Sequence, residues 1–175
     1  MDQEASTASV VEFLDACRSF EIWIDGGWGV DALLGVQSRV HSDLDIIING
    51  SEFEAFTVFM RSNGYSREHS DATVFVSPAG LAVDVHCVRF DARGYGIFDL
   101  PDGREWPFPP SAFQGNGIIG DAPVRCLSPE AQVQCHAQGY EPTSKDLSDM
   151  QALQERFQVV LPLQLCPRRI NSSAG

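Results

Sequence analysis

The sequence predicts an α+β fold of mixed α/β character, a mixed β-sheet flanked by helices, and three observations predict it. Short apolar runs rich in β-branched residues at 22–24, 44–48 and 81–88 read as strands. Segments with helical apolar spacing alternate with them. Pro78-Ala79-Gly80 separates the apolar runs 73–77 and 81–88 with turn chemistry suited to an antiparallel hairpin, which makes the sheet mixed. With 175 residues the chain can bury one sizeable core and is short for two full domains. A single domain over 1–175 is therefore expected, with a core over about 9–125, a helical part over about 126–157 and a tail over 158–175.

In chain order, residues 9–19 have helical spacing, and Ser9 with Glu12 fits a capping box. Ile22, Trp23 and Ile24 form a strand that stops at Asp25-Gly26-Gly27, and 28–34 suit a short helix closed by Gly35. The isoleucine-rich strand 44–48 leads into a helix over 51–63, where Ser51 and Glu54 again fit a capping box. Residues 89–125 are rich in Gly, Pro and aromatics without sustained periodicity and read as a functional loop with short strands. Ser128-Pro129 opens a helix to about 138, and a last helix is expected over 144–157. Residues 159–165 suit a strand or loose packing, and the end has the composition of a frayed tail.

Composition narrows the function. Hydrophobic residues make up 43% and charged residues 21%, as in ordinary globular proteins. A net charge of −12 opposes binding to the backbone of polymeric nucleic acid, which depends on many Lys and Arg contacts. A nucleotide is still compatible with it, because a divalent cation carries the neutralising charge. No apolar run approaches the roughly 20 residues that span a bilayer, and the start MDQEAST lacks the basic flank of a signal peptide, so no membrane partner and a cytoplasmic location are expected. The five cysteines are widely spaced with no C-x-x-C pair, which points to reduced thiols.

The chemistry concentrates around two strands. In Asp43-Leu44-Asp45 the period of two puts both carboxylates on one face while Leu44 and Ile46 point to the core. Paired like charges there repel and raise one pKa unless a cation joins them, and Mg²⁺ is the hard, oxygen-seeking choice. Asp84, in a valine-rich strand, offers a third carboxylate on the same face as His86, since burying it unpaired would be costly. Three convergent carboxylates suit phosphoryl or nucleotidyl transfer, where metal grips the triphosphate and one carboxylate takes the acceptor's proton. Gly26 and Gly27 ahead of a helix offer backbone amides to phosphate oxygens. Taken singly, Asp-x-Asp also fits a solvated strand end, and a glycine pair a simple turn.

The stretch IDGGWGVDALLGVQSRVHSDLDI (24–46) resembles the signature of the lincosamide and aminoglycoside nucleotidyltransferases of the nucleotidyltransferase superfamily. The likeness continues through VDVHCV (83–88), the W-P-F segment and CLSPEAQVQCHAQGYEPTSKDLSDMQAL (126–153), covers about 9–157, and looks closest to the short, single-domain lincosamide type. It implies a nucleotidyltransferase-like sheet with C-terminal helices. By this resemblance Asp43 and Asp45 bind Mg²⁺, taken as two ions, Asp84 acts as base or third ligand, and Gly26 and Gly27 hold phosphate. The co-substrate it implies is a nucleoside triphosphate, with ATP expected, and the acceptor a small antibiotic-like molecule, a lincosamide first; a homodimer is one candidate assembly.

Further residues have paired readings. Arg39 suits a triphosphate contact or a structural ion pair, and His41 suits loop-holding by hydrogen bonds. Lys145 suits a β- or γ-phosphate contact or a salt bridge with Asp146 or Asp149. His86 suits acceptor positioning or a satisfied core polar role, and His136 packing. Tyr140 and the aromatics Trp106, Phe108 and Phe113 are candidate acceptor surface, with core packing as the alternative for the three aromatics. Alternative functions are aminoglycoside modification, favoured by the acidic net charge, a toxin-antitoxin-type transferase acting on protein or tRNA, and a non-catalytic nucleotide-binding module.

Overall fold

The computed structural model describes residues 5–67, 69, 72–100, 102–138 and 141–166. Among them, strands β1 (Ile22–Ile24), β2 (Asp43–Asn49), β3 (Val74–Val76), β4 (Ala82–Phe90), β5 (Gly96–Asp99), β6 (Glu105–Phe108), β7 (Gly115–Ile119) and β8 (Ala122–Cys126) form one open mixed sheet. Its order is β6-β5-β4-β2-β1-β8-β7, with β3 pairing β4 outside that path. β2 runs parallel to β4, with Asp45 opposite Asp84 and Ile47 opposite His86. The other edge of β4 is divided. β3 pairs with Ala82, Val83 and Asp84, and β5 with Arg89 and Phe90, so no strand covers residues 86–88 between them. The hairpin about Pro78-Ala79-Gly80 forms as the turn chemistry predicts, with Gly80 at φ 91°.

Five α-helices accompany the sheet: α1 (Thr7–Ala16), α2 (Gly26–Leu34), α3 (Phe53–Ser62), α4 (Pro129–His136) and α5 (Ser144–Phe157). Leu44, Ile46 and Ile48 are fully buried together with Phe56 and Met60 of α3 and Val10 and Phe13 of α1. On the opposite face Ile47 and Val88 pack with Trp23, Phe108 and Leu127. Period-two alternation thereby leaves Asp45 on the face that α2 and α4 approach.

Several helix ends differ from expectation. α1 is capped by Ser6, not Ser9: the Ser6 hydroxyl accepts the Ser9 amide, and the Ser9 side chain accepts the Ser6 amide. Ser51 caps nothing, because the Asn49 side chain takes the Ser51 amide and opens a 3₁₀ turn before α3. α2 begins at Gly26, two residues earlier than the apolar pattern suggests, while Gly35 closes it at φ 73° as expected. Ser128 caps α4 with Pro129 behind it, and Thr143 and Asp146 form the capping box of α5.

Residues 89–125 are more regular than a loop. They hold two antiparallel hairpins, β5–β6 and β7–β8, joined by a 3₁₀ turn at Pro110–Phe113. Over 158–166 the described chain makes no strand and packs closely: Val159, Leu161 and Leu165 are buried against Val30, Met150 and Leu153. Residues 167–175 of the expected tail lie outside the described residues. All five cysteines are free. No described helix is long and apolar enough to cross a membrane.

Candidate active site

The parallel register of β2 and β4 sets Asp45 beside Asp84, and His86 follows two residues on, so it shares Asp84's face. One ligand atom from each of these three residues lies within 4.8 Å of the others. His86 Nε2 is 3.6 Å from Asp45 Oδ1 and 3.9 Å from Asp84 Oδ2. Its pKa is raised, first by the Asp45 carboxylate, against the opposing effect of burial, with Asp84 adding to the rise. Asp84 Oδ1 is buried with no hydrogen-bond partner. Asp43 belongs to the same strand face but stands outside this trio, exposed at the mouth, where it accepts the Ser42 hydroxyl at 3.0 Å.

The glycine pair is dictated by what touches it. Gly26 sits at φ 58°, and a Cβ there would overlap the Asp45 carboxylate. A Cβ on Gly27 would stand 2.5 Å from Arg39 Nη2 and 2.5 Å from His41 Nδ1. Only glycine lets the start of α2 close on these side chains, and it brings the free amides of a helix N-terminus to the carboxylates.

A polar cleft of about 390 Å³ opens there, lined among others by Gly26, Gly27, Arg39, Asp43, Asp45 and Lys145. Arg39 makes the structural ion pair, its guanidinium bonding the buried Asp149 of α5 with Nη2 2.8 Å from Oδ2, and it also forms part of the cleft wall. His41 holds the loop, as expected. Its Nε2 lies 2.5 Å from Asp31 Oδ2, its ring lies tilted against Trp28 with centroids 4.7 Å apart, and Asp31 also accepts the Ser38 amide. Lys145 is exposed at the cleft; Asp149, one of its expected partners, is engaged by Arg39.

On the other side of the trio lies a cavity of about 700 Å³, walled by Arg67, Val85, His86, Phe98, Trp106 and Phe108 among others. It occupies the gap that β3 and β5 leave along β4. Trp106 leans on Phe108 with ring centroids 4.7 Å apart. Phe113 is not part of this wall. It is buried between Trp23 and Phe90, and its carbonyl accepts the Trp23 indole N–H at 2.9 Å, so it serves the core. His136 is likewise buried, its Nδ1 2.8 Å from the Gln132 carbonyl, in line with packing, although it borders the polar cleft. Tyr140 lies outside the described residues.

Asp25 was not singled out by the sequence pattern, yet it lines both the polar cleft and the apolar cavity. It is the N-cap residue of α2, but its side chain makes no capping bond, and Oδ1 is buried without a partner. Burial pushes its pKa up, opposed by the Gly26 amide; Asp45 adds to the rise, and His86 and His136 oppose it. The available signal was an Asp ending a strand immediately before the glycine pair, which reads equally as turn chemistry.

The sequence model of the aminoglycoside-2''-adenylyltransferase family matches residues 7–153. A lincosamide resistance protein of Staphylococcus haemolyticus is 30% identical over 139 residues, covering 75% of this chain and 82% of that protein. A 2''-aminoglycoside nucleotidyltransferase of Escherichia coli is 32% identical over 117 residues, 65% of this chain, and the match spans 62% of its length. The solved lincomycin-bound lincosamide antibiotic adenylyltransferase LnuA matches with a TM-score of 0.74 at 26% identity, covering 87% of this chain and 98% of that one. ANT(2'')-Ia in complex with adenylyl-2''-tobramycin shares the fold, with a TM-score of 0.65 at 19% identity over 86% of this chain and 88% of that one.

Proposed function

Because the chain belongs to the aminoglycoside-2''-adenylyltransferase family and is a nucleotidyltransferase, we propose that it transfers AMP from ATP to a hydroxyl of a lincosamide antibiotic in a Mg²⁺-dependent reaction that releases pyrophosphate. The observation that carries this reading is that a polar, carboxylate-lined cleft holding Asp45 and an apolar cavity holding His86 share the walls Asp25 and Cys135, beside the cluster of Asp45, Asp84 and His86. One side suits a triphosphate, the other a largely apolar acceptor.

The residues fit a divalent cation. Asp45 and Asp84 stand side by side in register, Asp84 Oδ1 has no donor, and the mouth adds Asp43; such a set of hard oxygen donors matches Mg²⁺. When bound, Mg²⁺ neutralises phosphate charge and polarises the α-phosphate. Gly26 and Gly27 at the start of α2 present amides to phosphate oxygens, and Arg39 and Lys145 supply positive charge along the same cleft. Asp84 accepts the proton of the acceptor hydroxyl as its oxygen attacks the α-phosphorus. The bond from that phosphorus to the bridging oxygen breaks, and pyrophosphate leaves with the electron pair.

Two observations favour a lincosamide over an aminoglycoside. The match covers 82% of the lincosamide relative and 62% of the aminoglycoside one. The cavity is walled by the aromatics Phe53, Phe98, Trp106 and Phe108, which suits a largely apolar acceptor. The net charge of −12 is the observation that favours an aminoglycoside. Incubation of the protein with MgCl₂, each nucleoside triphosphate and a panel of both drug classes tests the proposal, read by product mass and pyrophosphate release. A lincosamide heavier by one AMP is expected; transfer to aminoglycosides alone, or no pyrophosphate with any drug, overturns it.

A further inference from the structure

Asp25 borders both clefts and has no assigned task in the transfer. Its backbone amide bonds the Asp45 carbonyl at 3.0 Å, which fixes it beside the metal carboxylates. It follows β1 directly, yet its Oδ1 is buried with no donor and its side chain makes no capping bond to α2. A carboxylate oxygen held away from water without a donor is costly, and a site that keeps one suits a donor that arrives with the ligand. The polar cleft already has Asp43 and Asp45 for cations and positive groups for phosphate, and phosphate oxygens bring only acceptors that a carboxylate repels. On the cavity side Asp25 stands with His86, Val85 and Cys135, where a donor of the acceptor molecule reaches it.

Resting on the proposed transfer reaction, we infer that Asp25 is an acceptor-binding residue: its carboxylate receives a hydrogen-bond donor of the acceptor, a hydroxyl or a protonated amine, next to the reacting hydroxyl. This contact orients the acceptor so that its nucleophilic oxygen faces the triphosphate, and it selects against molecules with a bare apolar edge at that point.

The test compares Asp25→Asn and Asp25→Ala with the parent protein, using a lincosamide and ATP for turnover and a non-hydrolysable ATP analogue with MgCl₂ for binding. Asp25→Ala is expected to raise the acceptor KM by about 10- to 100-fold, the usual weight of a hydrogen bond to a charged group, while the nucleotide Kd stays unchanged. Asp25→Asn, which keeps shape and an accepting oxygen, separates the donors. A KM near the parent's identifies a hydroxyl, and a KM as high as that of Asp25→Ala identifies a protonated amine. An unchanged acceptor KM in both variants overturns the inference, as does a loss of nucleotide binding in step with KM, which would make Asp25 a metal ligand. Absence of turnover in the parent protein refutes the transfer reaction itself and is thereby distinguished.

Discussion

Replacing Gly26 by alanine separates a backbone cost from a catalytic one, because the helix it opens is closed by a second glycine of similar conformation. Gly26 has φ 58° and Gly35 has φ 73°, so alanine at either position meets the left-handed penalty of about 1–2 kcal/mol. Their surroundings differ. Nothing lies within 4 Å of a Cβ at Gly35, whereas at Gly26 it overlaps the Asp45 carboxylate. Asp45 must then move by an ångström or more, and a misplacement of that size in a reacting assembly costs on the order of 10²-fold in rate. Gly35→Ala is expected to lower the unfolding free energy by about 1–2 kcal/mol with near-normal kcat. Gly26→Ala should lose at least as much stability and about 10²-fold in kcat. Urea denaturation of both variants, followed by pyrophosphate-release kinetics at a temperature where both are folded, measures the two effects. Normal turnover in Gly26→Ala would refute the claim that this glycine exists to admit Asp45.

Asp84→Asn should lower kcat by roughly 10²-fold or more, as loss of a positioned base does, with Mg²⁺-nucleotide affinity little changed; calorimetric titration beside turnover decides, and joint collapse makes Asp84 chiefly a metal ligand. Lys145→Ala should raise the nucleotide KM more than it lowers kcat, as expected for phosphate binding that does not change toward the transition state, and steady-state kinetics at saturating acceptor would reveal an unchanged KM if the lysine only decorates the surface. Burial pushes the Cys17 and Cys126 thiols up to about 12, so both should resist thiol reagents in the native protein while the exposed Cys87 is modified first. Peptide mass mapping after brief alkylation checks this, and labelling of Cys126 before Cys87 would contradict it.

What the sequence made legible follows the strength of each local signal. The isoleucine run of β2 and the valine alternation of β4 place Asp45 and Asp84 on one face, because period two leaves no other arrangement once Leu44 and Val83 enter the core. The cross-strand register that sets the two carboxylates opposite each other is tertiary, and no local pattern encodes it. The short strands expected within 89–125 could not be placed individually, because β5 to β8 are four or five residues long and carry Gly96, Pro107, Gly115, Gly117 and Pro123, which blur alternation. The cap of α1 was read one turn late because Ser6 and Ser9 offer the same chemistry three residues apart. Asp25 escaped because an acid before two glycines also spells a turn, and only the two clefts meeting at it distinguish the cases. Phe113 looked like Trp106 in sequence, and its neighbours alone assign it to the core.

Under the proposed reaction, the divided edge of β4 gives the transfer chemistry and the choice of acceptor separate mechanical supports. β2 fastens one edge of β4 over seven residue pairs, and that seam fixes Asp45 against Asp84. The wall facing the acceptor hangs instead from β3 at one end and from β5 at the other, where only two residue pairs attach the β5–β6 hairpin. Lengthening, shortening or re-aiming that hairpin redraws the cavity while the carboxylate seam keeps its register. On that proposal, indels in residues 91–104 alter which acceptors are taken in small steps that each leave the carboxylate seam intact.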